Sequence, residues 1–413
     1  MTNPITGPRL LLPVLLFVLA LGAWSCGGGG GTDPDPPTKG SIQVNSNVDG
    51  AAISLNGIPR GETTDAKLSG LEPGIYTVRV SLDGYAVSPE FIDVTVVAGE
   101  TVTAAFSLLL LEAGMIHVET DVAGAAILID GEVTGRFTPA DITDIAPGTY
   151  QVDVVHAGYA RAMQSVTVAL DSTSDASFTL VEELAGKRVL IEHYSNYGCT
   201  PCLPAELALE AAVEDLDPAT VTTIGVHLNF PVFGDPFWLD NQQQNDDRRD
   251  IYSVIALPQF RFDGERFDDV DNKAAMVSDV QTRAAASPPY QIAIVASPVG
   301  DSLIVAGSVR KTADIAGEER LVVAAIETGI DYDSPNGIDH FDDIVKRFFP
   351  GISGLTLDLA VGEMQTFRYA LAISDPSVDG DIPLDDWVAE NLHAVAFVQS
   401  GTGFTVYQAG TTR

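Results

Sequence analysis

At 413 residues the chain is long enough for about two to four domains, and 46% apolar residues with 38 glycines and 24 prolines point to folded, β-rich units and against disorder. A formal charge of −35 excludes nucleic acid as a partner, because the phosphates would be repelled. Only three cysteines are present, Cys26, Cys199 and Cys202, each in its own setting, so no disulfide framework is implied.

Residues 1–25 carry one basic residue, Arg9, followed by an apolar run from Leu10 to Leu21. That run is too short to span a bilayer, which takes about 20 apolar residues, and it fits a secretory signal. It closes in Leu21-Gly-Ala-Trp-Ser-Cys26, which resembles a bacterial lipobox although Trp24 is untypical there. The resemblance implies cleavage before Cys26 and a lipid on that cysteine, hence a membrane anchor; plain signal cleavage leaving a free thiol is the alternative. Residues 26–38, glycines and then Asp-Pro repeats, offer nothing to a core and read as a tether.

An internal repeat follows. Gly40-Ser-Ile-Gln-Val and Val48-Asp-Gly-Ala-Ala-Ile-Ser-Leu-Asn-Gly57 align without a gap onto Gly114-Met-Ile-His-Val and Val122-Ala-Gly-Ala-Ala-Ile-Leu-Ile-Asp-Gly131. The register continues through Pro73-Gly74-Ile-Tyr76 and Pro147-Gly148-Thr-Tyr150, then Gly84-Tyr85 and Gly158-Tyr159. Asn56-Gly57 and Asp130-Gly131 predict tight hairpins, and the alternating strands from Tyr76 and Tyr150 each predict one buried face. Two small β-sandwiches are expected, over 39–110 and 111–182. They resemble PEGA domains, with a degraded namesake tetrad. That resemblance implies a binding or spacing role without catalytic residues; His117 and His156 read as packed or solvated.

From 183 to 287 the pattern changes. Val189 to Tyr194 predicts a buried strand that ends in a Ser-Asn-Tyr-Gly turn, and Leu203, Leu207, Leu209 and Val213 predict the apolar stripe of a helix. Cys199-Thr-Pro-Cys202 therefore lies where a strand hands over to a helix. Free N–H groups and the macrodipole there favour a thiolate, so Cys199, exposed at the turn, is the candidate nucleophile and Cys202 the resolving thiol. A second strand is expected from Val221, a hairpin turn at Asp263-Gly264, and a closing helix over 268–286. The polar stretch from Phe230 to Tyr252 reads either as a cover over the cysteines or as a surface loop entering a helix.

This order resembles the thioredoxin family. The likeness implies that Pro258 is cis and faces the cysteines, and that a proton-handling group stands six residues before Cys199, where His193 lies with Glu192 beside it. Strand alternation lets only one of these two face the cysteines. Thr200-Pro201 matches reducing members, implying a reductase or isomerase, whereas Gly198 replaces the family's usual aromatic. A permanent Cys199–Cys202 disulfide that only staples the turn remains the rival in an oxidising compartment. Zinc needs four ligands and no second pair is present, so neither metal nor cofactor is called for.

Residues 288–413 read as six strands of an antiparallel β-sandwich. With the preceding section they resemble the outer membrane protein 28 family of bacterial envelope lipoproteins, through Leu190-Ile-Glu-His-Tyr-Ser, the CxxC and Asn391-Leu-His-Ala-Val-Ala-Phe-Val-Gln. The acidic loop Asp375 to Asp386 lacks two EF-hand ligands and reads as solvated. The whole is a multidomain chain: two all-β PEGA-like sandwiches, an α/β thioredoxin-like domain and a C-terminal antiparallel β-sandwich. The expected home is the bacterial outer membrane, lipid-anchored, facing periplasm or surface. Two functions fit: thiol–disulfide exchange on envelope proteins, or a non-catalytic scaffold that binds envelope protein or cell-wall polymer.

Overall fold

Tandem glycine-containing turns set the geometry of both repeats. In the computed structural model, which describes residues 38–82, 84–110, 113–373 and 387–413, Asn56 and Asp130 take φ values of 51° and 50°. Gly57 and Gly131 follow at 80° and 87°, giving the two successive positive φ angles that a tight hairpin needs. Each turn joins strands of matching register, Ala52–Leu55 with Ile58–Thr63 and Ala126–Ile129 with Glu132–Phe137. In each repeat the first strand pairs antiparallel with one neighbour and parallel with the last strand of the copy. Two facing sheets enclose a mainly apolar core, around Ile42, Ile53 and Val78 in the first copy and Ile116, Ile127 and Val152 in the second. The signal-like segment, Cys26, nearly all of the tether and the acidic loop from Asp375 lie outside the described residues.

The second half is built on strand β1 (Val189–Ser195), buried at every position because both its faces are covered. Helix α1 (Cys202–Glu214), strand β2 (Val221–His227), helices α2 (Pro236–Asp240) and α3 (Gln242–Tyr252), strands β3 (Gln259–Phe262) and β4 (Glu265–Phe267) and helix α4 (Lys273–Ala284) follow. β2 runs parallel to β1, and β3 antiparallel to it, giving the strand order β4-β3-β1-β2. Val189 and Ile191 pack with α1 and α4 on one face, while Leu190 and Tyr194 pack with Tyr252 of α3 on the other. The stripe on α1 is Ala205, Leu209 and Ala212; Leu207, expected within it, is 55% exposed. α4 starts later than its apolar pattern suggests, because the Asn272 side chain accepts the Ala275 N–H and caps it there.

Besides the short strands Ile330–Asp331, His340–Phe341 and Leu355–Leu357, the longer ones that follow are β5 (Tyr290–Val299), β6 (Ser302–Lys311), β7 (Glu319–Glu327), β8 (Ile344–Phe349), β9 (Met364–Ala372), β10 (Leu392–Ser400) and β11 (Val406–Thr411). Four of them extend the first sheet without a break, in the order β4-β3-β1-β2-β8-β7-β10-β11. Strands from before and after residue 287 therefore share one continuous sheet. The strand that joins the two parts, β8, pairs with β2 at Gly225 and Ile344. It carries Lys346, fully buried, 2.8 Å from Asp240 and 3.0 Å from Glu327. β5, β6 and β9 form a second sheet packed on β7 and β10 through Leu303, Val305, Leu321 and Ala396. Strands predominate along the chain as a whole.

Candidate functional site

The turn after β1 is tied down by two asparagines. Asn196 donates to the carbonyls of Leu228 and Val232 at 2.7 and 2.9 Å, and its own carbonyl accepts the Cys199 N–H at 3.0 Å. From the far side of the chain, Asn336 donates to the carbonyls of Cys199 and Asn196 at 3.1 and 3.3 Å. Cys199 and Cys202 are joined as a disulfide with a Cα–Cα separation of 5.3 Å. Cys202 is the first residue of α1 and donates its N–H to the Cys199 carbonyl.

Burial departs from the sequence reading. Both sulfur-bearing residues have zero exposure, although Thr200 and Pro201 between them are open to solvent. The Phe230–Gly234 segment accounts for part of this: Val232 lies so close to Gly198 that a Cβ there would stand 2.6 Å from its side chain. The absence of a side chain at Gly198 is thus what lets this segment approach. Of the polar stretch, Val232 lies against Gly198 and Asn196, and the residues from Pro236 onward form α2 and α3, as the surface-loop reading expects.

Pro258 follows a cis peptide bond and precedes Gln259, which pairs with Tyr194. That register puts the proline level with the end of β1, where the chain turns toward Cys199. His193 and Glu192 separate as alternation requires. His193 is on the α1 side, its Nδ1 3.1 Å from Glu206. Burial disfavours a charged imidazole, but Glu206, with Asp343 and Asp342 beyond it, outweighs this and holds the His193 pKa above its ordinary value. Burial likewise works against the Glu206 carboxylate, and His193 prevails, holding that pKa below the usual range.

Glu192 points to the opposite face, so its expected place beside the cysteines is corrected. Its carboxylate is fully buried, takes two hydrogen bonds from Arg248 at 2.7 and 2.8 Å, and accepts the Tyr252 hydroxyl at 2.7 Å. Burial works against the Arg248 charge, and Glu192 outweighs it, pushing that pKa up. The pair fastens α3 to β1. Removing one partner would strand the other charge at a cost of about 3–5 kcal/mol.

Beside α1 lies a cavity of about 260 Å³ that neither cysteine lines. It is bounded by His193, Glu206, Leu209 and Val213, by His227 and Thr223 of β2, and by the segment from Ile338 to Ile344. Gly225 makes room for it, since a Cβ there would stand 2.9 Å from the His193 ring and 3.0 Å from Ile344. Asn196, Asn336, His227 and Asp235 went unread in the sequence. Asn336-Gly337 is a turn dipeptide, but nothing local links it to a cysteine more than a hundred residues away.

Residues 39–109 and 113–184 match the PEGA domain family, so the chain carries two PEGA domains. Comparison with curated proteins finds no match. Among solved structures, the chain is similar to HBP35 of Porphyromonas gingivalis, with 16% identity, 55% of this chain and 74% of that one covered, and a TM-score of 0.46. It is similar to a domain of the outer membrane lipoprotein Omp28 of the same organism, at 19% identity, 30% and 86% coverage and a TM-score of 0.21. A third likeness is to the TIE protein of Bacillus anthracis, at 17% identity, 38% and 36% coverage and a TM-score of 0.19. At these scores none of the three bears on function. No helix among the described residues is long and apolar enough to cross a membrane.

Proposed function

We propose that the chain is an envelope lipoprotein whose Cys199 and Cys202 exchange thiols and disulfides with envelope proteins, in the reductase or isomerase direction. The observation that carries this reading is a CxxC at a strand-to-helix hand-over, level with Pro258, in a β4-β3-β1-β2 sheet with helices on both faces. We take that order as support for a thioredoxin-like unit. In the reduced form the Cys199 thiolate attacks a substrate disulfide, forming a Cys199–substrate bond and releasing one substrate thiol. Cys202 then attacks the Cys199 sulfur, closing the internal disulfide and releasing the second thiol. Two electrons pass to the substrate, and a dithiol donor of the envelope must restore the pair. His193, on the α1 side, is the candidate for taking the Cys202 proton; Cys26, through its lipid, is the anchor. The PEGA domains serve as spacers or as binding modules for envelope protein or cell-wall polymer.

The second reading, a scaffold with a stapling disulfide, is favoured by the complete burial of both cysteines. A glutathione or dithiothreitol titration separates the two. Exchange predicts a potential roughly between −270 and −120 mV and a partner trapped by Cys202→Ala; a staple predicts a value below about −300 mV and no trapped partner. Fatty-acid labelling lost in Cys26→Ala supports the anchor, and labelling retained in that variant removes it.

A further inference from the structure

The cavity beside α1 owes its existence to the joining of the two halves, because β8 and the segment before it supply one wall and α1 the other. Interfaces of this kind are where small-molecule sites tend to form. Its lining is amphipathic. Leu209, Val213, Phe341 and Ile344 offer carbon, and Glu210 and Glu214 stand on the α1 rim without an ion-pair partner among the described residues. Arg413, the cavity's guanidinium, is already taken by Asp343 at 2.6 Å and lies 3.6 Å from Asp342. Glu206 is likewise paired with His193.

His227 shows what the cavity lacks. The residue is only 1% exposed, and its Nδ1 lies 2.9 Å from Asp235. A carboxylate can only accept, so Nδ1 carries a hydrogen, and in the neutral form of the ring Nε2 then presents a lone pair. No described residue donates to that nitrogen. A donor entering the cavity would complete the hydrogen bonding of this ring.

We propose that this cavity binds a small organic ammonium ion, donating N–H to His227 Nε2 and the α1 carboxylates, with its carbon stem against Leu209, Val213 and Phe341. An anion meets an excess of carboxylates. A neutral apolar guest leaves Nε2 unpaired. A bare metal ion finds no ready ligand set, since no group of three or more His, Cys, Asp or Glu among the described residues is arranged for one. The Phe341 ring adds an attractive face for the cation.

The test is calorimetric titration of the full chain with benzylamine, benzyl alcohol and benzoate, three probes of one shape and different charge. Benzylamine should bind about tenfold or more tighter than the alcohol, and benzoate should not bind. His227→Phe should weaken benzylamine about tenfold. Glu210→Gln with Glu214→Gln, on the exposed rim where the fold is not at stake, should weaken it several-fold. Glu100→Gln in the first repeat should change nothing, which separates a site from the pull of a chain carrying −35 charges. Equal binding of amine and alcohol, or an effect of Glu100→Gln as large as that of the rim pair, overturns the proposal.

Discussion

The two PEGA domains share their hairpin turns, most of their strand pairing and equivalent cores, yet among the described residues the second is the one built into the cysteine-bearing half. The difference lies on the outward face of one hairpin. Ser54, Pro59 and Thr63 of the first copy correspond to Leu128, Val133 and Phe137 of the second. Leu128 and Val133 are buried with Ala126 against Val295, Ile304 and Ala306 of β5 and β6, whereas Ala52, Pro59 and Thr63 are exposed. The shared glycines diverge in the same way. A Cβ on Gly50 or Gly61 would meet open space, but on Gly124 it would strike Met364 and on Gly135 it would strike Arg368. Polar contacts complete the joint: Ser297 accepts the Val133 N–H at 2.8 Å and Ser308 accepts the Ala157 N–H at 2.9 Å. A duplicated domain acquires a fixed partner through a few surface positions while its core stays as it was.

The largest effect should come from Leu128→Asp, which places an unpaired carboxylate in that joint. A loss of about 4 kcal/mol in the opening free energy of residues 126–133 is expected, read by hydrogen exchange. Protection that stays at the parent level would mean the apolar joint does not hold the copy. Converting the first copy by Ser54→Leu, Pro59→Val and Thr63→Phe creates an apolar face with nothing to cover it. Sedimentation should then reveal self-association, and a strictly monomeric variant would show that these three positions do not suffice.

A pH experiment sharpens the contrast further. His156 is buried in the second copy where the first has Leu82, and burial, with Arg310 nearby, outweighs its backbone hydrogen bonds and lowers its pKa. The unfolded chain therefore binds the proton more readily, so stability present at neutral pH is lost as pH falls below about 6.5 toward the depressed folded value. His156→Leu should flatten that part of the stability–pH profile for the second copy, followed by hydrogen exchange at residues 150–155. A profile identical to the parent's would assign the acid sensitivity elsewhere. The smallest effect belongs to Ser54→Asp, the counterpart of the first substitution, which should stay within about 0.5 kcal/mol of the parent.

The cysteine-bearing half stands apart from both repeats in what its interior contains. The repeat cores are mainly aliphatic and aromatic, with Asp153 and His156 buried in the second copy, but this half buries Glu192 with Arg248, Lys346 with Asp240 and Glu327, and Lys311 with Glu319. Ion pairs of this kind obscure sequence reading. The joining strand β8, Ile344-Val-Lys-Arg-Phe-Phe, carries two central cations, and its pattern does not announce a buried strand. Lys346 is inside because carboxylates from α2 and β7 meet it there, and none of those is near it in sequence.

What the sequence determined by itself was everything local. The repeats were legible because Asn-Gly and Asp-Gly demand positive φ and alternating strands demand one buried face, both set within a few residues. The Cys199–Cys202 spacing, the strand before it and the helix after it were legible for the same reason. Alternation even fixed that His193 and Glu192 must part, though not which of them would face α1. Tertiary structure alone decided that Glu192 serves Arg248, that Asn336 ties the Cys199 carbonyl and Val232 packs at Gly198, and that strands from before and after residue 287 share one sheet. Each of these depends on groups far apart in the chain coming together, and which distant charge or backbone edge meets another is settled by the packing of whole layers.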